Sequence, residues 1–325
     1  MSKSVLARAH FHDEAAAFAY LETKLWPQGP ICPKCGGDGY ALNGVKDKKD
    51  RERLGLKKCR ACRAQFTLRV GTIFEDSHAP LHLWLQAIAL MAASKKGISS
   101  NQLARVLGVQ VKTAWFMSHR IRMAMAPSGK LPPMGGAGKV VEADETYHGK
   151  ASQLTDIRLD GRPMKRRQSS ARNRRAIVSL VERGGSARSF HVEDADIATV
   201  QRIIRENVDL ASRLQTDASP LYTAIGKEFA DHGSVRHTLG EYVKYVNGEA
   251  IHNNSAESFF SVFKRGMKGV YQHCAEKHLH RYLAEFDYRH NTRAKLGVSD
   301  DQRADTLITQ VVGKRLTYKA ADRPV

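Results

Sequence analysis

What the sequence lacks narrows its class first. None of its apolar runs approaches the roughly 18 residues that a membrane-spanning helix requires. Residues 1–20 contain no apolar core of the kind that secretory signal peptides carry. Only five cysteines occur in 325 residues, and no segment repeats. These absences predict a cytoplasmic protein without a disulfide framework.

Acidic residues are also in short supply. The chain has 33 Asp and Glu against 52 Lys and Arg, which gives a formal net charge of +19. An excess of this size suits a polyanion, because Lys and Arg displace the counterions that surround phosphates. The basic residues also cluster, which favours a nucleic-acid partner over the alternative of a basic protein that is merely soluble.

The pattern along the chain predicts several domains. Residues 127–138 are rich in Pro and Gly and indicate a linker. The preceding segment is strongly helical, whereas short apolar runs and helical patterns alternate after the linker, as is typical of a mixed α/β domain. The predicted parts are an N-terminal helical segment (1–28), a ribbon (29–75), a helical domain (76–126), the linker (127–138), an α/β domain (139–300) and a C-terminal tail (301–325).

Four of the five cysteines form two pairs. "CPKC" and "CRAC" place Cys32, Cys35, Cys59 and Cys62 in C-x-x-C spacing, so each pair can direct two thiolates at one ion. Two such pairs complete a tetrahedron and predict a zinc ribbon with structural Zn²⁺. Reduced structural cysteines and a redox pair are the alternatives. The sequence shows no fifth ligand position, so we do not expect the zinc to be catalytic.

The segment from Ile98 to Met125 has the pattern of a helix-turn-helix. Ser100 is the expected cap of a first helix that Gly108 ends, and a second helix is expected from Val111. Two helices joined by a Gly-containing turn match the DNA-reading motif, although many helical hairpins share the pattern without binding DNA. The polar residues predicted to contact DNA from the second helix are Lys112, His119, Arg120 and Arg122.

Three separated acids have unusual settings. "VEADETYHGK" begins at residue 141, and we expect a strand over 139–144 that ends at Asp144, with Val141 and Ala143 on the opposite face. Asp217 ends a second apolar run, "RLQTD". Glu257 lies near the start of a predicted helix. A surface position is the alternative for Asp144, and a capping box with Asn254 is the alternative for Glu257.

These acids predict a metal site. Two neighbouring strands that end in Asp would bring like charges together, which is costly unless a cation neutralises them. Oxygen ligands with room for water select Mg²⁺ or Mn²⁺. Three carboxylates of this kind are typical of the two-metal sites of phosphoryl-transfer enzymes.

The combined motifs resemble a known family. "CPKC…CRAC", "VEADETYHGK", "LQTDASPLY" and "NNSAESFFSVFKRGMKGVYQH" are, in this order, similar to those of bacterial insertion-sequence transposases of the zinc-ribbon DDE type, the ISXO-like group. The resemblance covers residues 15–295. It implies a ribonuclease-H-like catalytic domain whose acidic triad falls on Asp144, Asp217 and Glu257, with Mg²⁺ or Mn²⁺ as the catalytic cofactor.

The same resemblance implies a reaction and partners. Water would cleave a phosphodiester bond at each end of the element, and the freed 3′-hydroxyl would then attack target DNA. Lys264, seven positions after Glu257, would contact substrate DNA, and Asn254 matches the family's Asn-x-x-Glu pattern. The zinc ribbon and the helix-turn-helix would bind terminal inverted repeats. Joining two ends implies at least a homodimer on double-stranded DNA, in association with the nucleoid.

A basic segment lies between the first two predicted strands of the α/β domain. A hairpin there could hold the DNA backbone beside the active site, although a charge run is more often a solvated loop. The residues predicted to bind DNA are Arg162, Lys165, Arg166, Arg167, Arg172, Arg174 and Arg175, together with Arg265 beside Lys264.

Two other functions remain open at the level of sequence. A DNA-binding regulator would use only the zinc ribbon and the helix-turn-helix, but it leaves the acids unexplained. A structure-selective nuclease would share the fold without strand transfer, and only the reaction products distinguish it.

Overall fold

The computed structural model of the chain describes residues 5–50, 52–150, 155–157, 163–165, 174–236 and 239–317. Two compact units are formed. The first unit comprises residues 1–127 and 297–325, and the second unit comprises residues 128–296. Within the described residues, no helix combines the length and the apolar character needed to cross a bilayer.

Both units contain helices and strands, with short 3₁₀ and π turns between some of them. The helices are α1 (Glu14–Leu25), α2 (Leu81–Ala93), α3 (Ser100–Leu107), α4 (Val111–Met125), α5 (Ile197–Asn207), α6 (Pro220–Gly226), α7 (Asn254–Gly266), α8 (Leu279–Asn291) and α9 (Asp300–Thr309). The strands are β1 (Gly39–Ala41), β2 (Lys57–Cys59), β3 (Gln65–Phe66), β4 (Val140–Lys150), β5 (Thr155–Ile157), β6 (Pro163–Lys165), β7 (Arg174–Glu182), β8 (Ala187–Val192), β9 (Arg213–Asp217), β10 (Asp231–Val235), β11 (Lys244–Val246) and β12 (Glu249–Ile251).

The first unit joins a small antiparallel sheet, β1-β2-β3, to helices α1 to α4 and α9. Its core includes the fully buried Trp84 and Ile88 of α2. Helix α9 lies in the segment predicted as a polar tail, and its Leu307 and Ile308 are buried. An apolar stripe on this helix therefore contributes to the core.

The predicted helix pair is present as α3 and α4. Ser99, rather than Ser100, is the N-cap, because its side chain accepts a hydrogen bond from the backbone N–H of Gln102. Gly108 ends α3 with φ of 65°, a left-handed conformation that glycine adopts without steric cost. Helix α4 then begins at Val111, as predicted.

The second unit contains a five-stranded mixed sheet in the order β10-β9-β4-β7-β8. Strands β10, β9 and β4 are parallel, whereas β4, β7 and β8 pair antiparallel. Helices α5 and α6 pack on one face through residues such as Ile204 and Tyr222. Helices α7 and α8 pack on the other face through residues such as Phe263 and Phe286. The predicted ribonuclease-H-like fold class is confirmed.

Alternation along β4 directs Glu142 and Asp144 to one face. Val141 and Ala143 belong to the core on the α5 and α6 side, as predicted. Glu142 is fully buried on the other face, where its carboxylate meets the start of α7. Because side chains alternate along a strand, Asp144 shares that face with Glu142.

Strand β4 is longer than predicted. The strand expected over 139–144 continues to Lys150, because its antiparallel pairing with β7 continues. Its parallel pairing with β9 ends at Glu142, opposite Gln215. Asp144 therefore lies inside the strand, two residues beyond the last parallel pair, and the prediction that it ends the strand is wrong.

A short hairpin, β11-β12, precedes α7 and was missed by the sequence analysis. Asn247 and Gly248 form its turn with φ of 52° and 81°. Positive φ at both central residues is the requirement of a type I′ turn, and Asn-Gly is its strongest sequence signal. That signal is present in "YVKYVNGEAI".

Candidate active site and zinc ribbon

Strand register brings two of the three predicted acids to neighbouring positions. Glu142 pairs with Gln215 across the parallel strands β4 and β9. Asp144 and Asp217 each lie two residues further along. Both strands run in the same direction, so the two Asp residues reach the same level of the sheet. Asp217 itself lies opposite Val235 of β10, and its Oδ1 accepts a hydrogen bond from the backbone N–H of Ser219 at 3.0 Å.

The third acid, Glu257, approaches from the helix that covers this face. Glu257 is exposed in the first turn of α7. Burial, followed by the nearby charges of Glu145, Asp217 and Glu257, raises the pKa of Asp144 to about 8. The three predicted ligands are thus close enough to interact electrostatically, and Asp144 is half-buried among them.

A fourth acid, Glu145, was not assigned to the site from sequence. Its carboxylate accepts a hydrogen bond from the hydroxyl of Tyr222, a buried residue of α6. Burial raises the pKa of Glu145, and the charge of Asp217 adds to the effect. Three acids within four residues of the sequence signal this cluster, but the contact with Tyr222 depends on how α6 packs.

The donor set fits a divalent ion. Carboxylate oxygens are the ligands that Mg²⁺ and Mn²⁺ prefer. Burial, together with the negative charges of Glu145, Asp217 and Glu257, raises the pKa of Asp144 and so disfavours its anion. A cation among Asp144, Asp217 and Glu257 would remove this cost.

The start of α7 differs from the capping box that was considered for it. The N-cap is Asn253, whose side chain makes no capping hydrogen bond. The carboxylate of Glu142 instead accepts hydrogen bonds from the backbone N–H groups of Ser255 and Ala256, at 2.7 and 3.0 Å. A charged residue in a buried strand is the sequence signal for this contact, since buried charges need partners.

The basic residues predicted to hold DNA near the acids have different placements. Lys264 and Arg265 are exposed at the end of α7, and Arg174 is exposed at the start of β7. Arg175 is half-buried and donates to the carbonyl oxygen of Cys274 at 2.5 Å. Lys165 lies in β6, and nothing is described of its side chain. The other four predicted residues lie outside the described residues: Arg162, Arg166, Arg167 and Arg172.

The four paired cysteines converge in the first unit. Their Sγ atoms all lie within 4.8 Å of one another, and they are the one such ligand group among the described residues. Two of the Sγ–Sγ distances are 3.7 Å (Cys32 to Cys62) and 3.5 Å (Cys35 to Cys59). A tetrahedral Zn²⁺ with thiolate ligands has edges of about 3.8 Å. The predicted structural zinc site therefore fits.

The predicted DNA-contacting residues of α4 divide into two groups. Lys112 is exposed in the first turn. His119, Arg120 and Arg122 are buried, with relative exposures of 0%, 3% and 1%. The guanidinium group of Arg120 donates to the backbone carbonyl oxygens of Leu316, Ile73 and Glu75. His119, Arg120 and Arg122 therefore belong to the core of the first unit, and the prediction that they contact DNA is revised.

Replacing Arg120 is expected to affect stability rather than DNA binding. An Arg120→Met variant keeps the volume but leaves three carbonyl oxygens without their charged donor, so its free energy of unfolding should fall by about 3 kcal/mol. Lys112→Met, a matched exposed control in the same helix, should change it by less than about 0.5 kcal/mol. Chemical denaturation measures both. Unchanged stability of Arg120→Met, together with a loss of DNA binding, would contradict the structural role.

Two parts of the chain match known families. Residues 135–291 match the family described as the ISXO2-like transposase domain, and residues 12–65 match the transposase zinc-ribbon domain. The first match spans the five-stranded sheet, α7 and α8, and the second spans α1 and all four zinc-site cysteines. No curated protein matches the chain. Both matches agree with the family that the motifs resemble.

Proposed function

We propose that this chain, which carries the DDE domain and the zinc ribbon of an insertion-sequence transposase, catalyses a DNA cleavage and joining reaction. The protein binds the terminal inverted repeats of an insertion sequence, hydrolyses a phosphodiester bond at each end and joins the 3′-hydroxyl ends to target DNA. Asp144, Asp217 and Glu257 are the proposed ligands of Mg²⁺ or Mn²⁺.

The observation that carries this proposal is the environment of Asp144. Burial and three neighbouring carboxylates raise its pKa to about 8, so its anion is disfavoured in the protein alone. A buried carboxylate among like charges is stable as an anion when cations neutralise the group. A DNA-binding regulator would have no use for such a cluster, whereas phosphoryl transfer requires one.

Each part of the second unit has a role in this reaction. Divalent ions, when bound, stabilise the charge on the attacking and leaving oxygens. The spacing of Asp144 and Asp217 follows from the pairing of β4 with β9, which ends at Glu142 and Gln215, two residues before the two acids. Glu257 is held by a helix whose apolar face packs on the sheet. The nucleophiles are water and then the DNA 3′-hydroxyl, so no protein side chain becomes covalently linked to DNA.

Exposed basic residues supply the proposed path of the DNA backbone. Lys264 and Arg265 lie two turns after Glu257 on α7, within reach of phosphates beside the scissile bond. Arg174 adds a positive charge at the start of β7. In the first unit, Lys112 and the exposed Arg105 of α3 are the proposed contacts of the helix-turn-helix, which acts with the zinc ribbon on the terminal repeats.

A product assay tests this function against its two alternatives. The zinc-loaded full chain is incubated with labelled DNA carrying the element ends, a target plasmid and Mg²⁺ or Mn²⁺. We expect a nick that leaves a 3′-hydroxyl, followed by joined products that contain two ends, as a dimer on DNA would produce. Cleavage without joining would identify a nuclease. Binding without cleavage in either metal would leave the DNA-binding regulator.

A further inference from the structure

Glu142 is a fully buried acid that the proposed chemistry does not use. It lies two residues before Asp144 on the same face of β4. Its carboxylate accepts three hydrogen bonds from the first turn of α7: from the backbone N–H groups of Ser255 and Ala256 and, at 2.9 Å, from the hydroxyl of Ser255. One carboxylate thus ties the strand that carries Asp144 to the helix that carries Glu257.

Arg183 completes this contact from the turn after β7. Its guanidinium group donates to Glu142 Oε1 from Nε at 3.0 Å and from Nη2 at 2.9 Å. Nη2 also donates to Gln215 Oε1 at 2.6 Å, and the same oxygen accepts from the backbone N–H of His252 at 3.0 Å. Gln215 lies two residues before Asp217 on β9. The buried charge of Glu142 is therefore paired, and the pair also reaches the strand of the second acid.

The network has a regular relation to the acid cluster. Glu142, Gln215 and Ser255 each lie two residues before one of the three acids, Asp144, Asp217 and Glu257. On strands β4 and β9, residues two apart point to the same face, so Glu142 and Gln215 form a layer next to that of Asp144 and Asp217. Ser255 meets this layer from the helix that carries Glu257. Metal ligands need to be held to within about 0.5 Å by contacts of this kind.

The other side-chain contact described at the start of α7 is local, because Nδ1 of His252 accepts from the backbone N–H of Asn254 at 3.3 Å. The helix's own N-cap, Asn253, makes no capping hydrogen bond, and neither polar atom of its buried side chain has a partner. Ordinary capping uses a residue next to the helix itself, so it adds no polar contact between the helix and another element. A cap supplied by β4 instead fixes the helix to the sheet.

We propose that Glu142, held by Arg183, is a positioning residue that sets the distance from Glu257 to Asp144 and so the affinity of the site for divalent ions. This inference rests on the proposed function, because it assigns a role within that metal site. Glu142 is fully buried and is not one of the proposed metal ligands. It acts through the first turn of α7.

The test compares Glu142→Gln with Asp196→Asn in the zinc-loaded full chain. Asp196 is also an N-cap, since its side chain accepts from the backbone N–H of Thr199, but it caps α5, which carries none of the three acids. Mn²⁺ affinity is measured by electron paramagnetic resonance of the free ion. Glu142→Gln should bind Mn²⁺ about 10–100-fold more weakly, as is typical when a residue that orients metal ligands is lost, whereas Asp196→Asn should stay within about twofold of wild type. Equal affinity of Glu142→Gln and wild type overturns the inference.

A double variant separates positioning from a general loss of stability. If Glu142 acts through Glu257, then adding Glu142→Gln to Glu257→Gln should weaken Mn²⁺ binding no further. Additive losses overturn the inference. Should Glu142→Gln fail to fold, Ser255→Ala decides, because it removes one donor to Glu142 and leaves the backbone contacts. It should weaken Mn²⁺ binding about threefold or more without changing the melting temperature, and unchanged affinity counts against the inference.

Failure of the proposed function gives a different result. If Asp144→Asn binds Mn²⁺ as tightly as wild type, the metal site itself is not where we propose it. If Asp144→Asn loses Mn²⁺ while Glu142→Gln and Ser255→Ala retain it, the site stands and only the positioning role falls.

Discussion

Cleavage of element-end DNA is expected to fall by about 1,000-fold or more when Asp144 is replaced by Asn. The amide keeps the shape of the side chain but cannot offset the charge of a divalent ion. Asp217→Asn should have an effect of similar size, because the two residues lie at the same level of neighbouring strands. The measurement is the single-turnover rate of nicking in Mg²⁺, with DNA binding determined separately.

The matched control for this prediction is Asp231→Asn. Asp231 is exposed at the amino end of β10, the neighbour of β9, whereas Asp217 lies at the carboxyl end of its strand. The control should cleave at the wild-type rate. All three variants should bind end DNA with unchanged affinity, since none removes a proposed phosphate contact. Wild-type cleavage by both Asp144→Asn and Asp217→Asn would refute the assignment of the active site.

Removal of zinc is expected to unfold the ribbon of the first unit. The described core around the site is small and consists of Cys32, Cys59 and Phe66, with Trp26 packed against it. Structural zinc contributes on the order of 10 kcal/mol to the folding of small zinc domains, far more than such a core supplies. After chelation, amides of β1 to β3 should lose their protection from hydrogen exchange, and binding of terminal repeats should be lost. Amides of the five-stranded sheet should keep theirs.

Cysteine variants provide the comparison. Cys59→Ser removes one of the four convergent ligands and should abolish stoichiometric zinc. Cys274→Ser changes the remaining cysteine, which lies in the second unit near the carbonyl oxygen of Ala275. It should retain one zinc per chain, measured by mass spectrometry under native conditions. Retention of zinc and of ribbon structure by Cys59→Ser would contradict the proposed coordination.

Local patterns in the sequence predict much of this fold. Strand β9 occupies the "RLQTD" segment that apolar character and a terminal acid indicated, and Gly108 ends α3 as its conformational freedom predicts. The cysteine spacing predicts the convergence of four Sγ atoms, because each pair is a local feature. The neighbouring positions of Asp144 and Asp217 follow from two strands of similar pattern, although their register is visible only in the structure.

Features that depend on tertiary packing could not be predicted. The length of β4 depends on its pairing with β7, which the sequence does not reveal. The sequence analysis therefore ended the strand at Asp144, whereas it continues to Lys150. Arginine is a residue type that often contacts DNA, but Arg120 lies on the buried side of α4, where its partners are backbone carbonyl oxygens. The sequence shows that Glu142, an acid within an apolar strand, needs a partner, but only the structure shows that this partner is the first turn of α7.

The central claim is that Asp144, Asp217 and Glu257 bind a divalent ion together. The most direct test determines where the metal binds and does not depend on a measurement of activity. Fe²⁺ replaces Mg²⁺ in the protein, and ascorbate with peroxide then generates hydroxyl radicals that cut the polypeptide beside the bound ion. We predict fragments that end near residues 144, 217 and 257 together, suppressed by excess Mg²⁺ and missing from Asp144→Asn. Cuts confined to other acidic segments, such as the one at Asp300 and Asp301, would show that these three carboxylates do not share an ion.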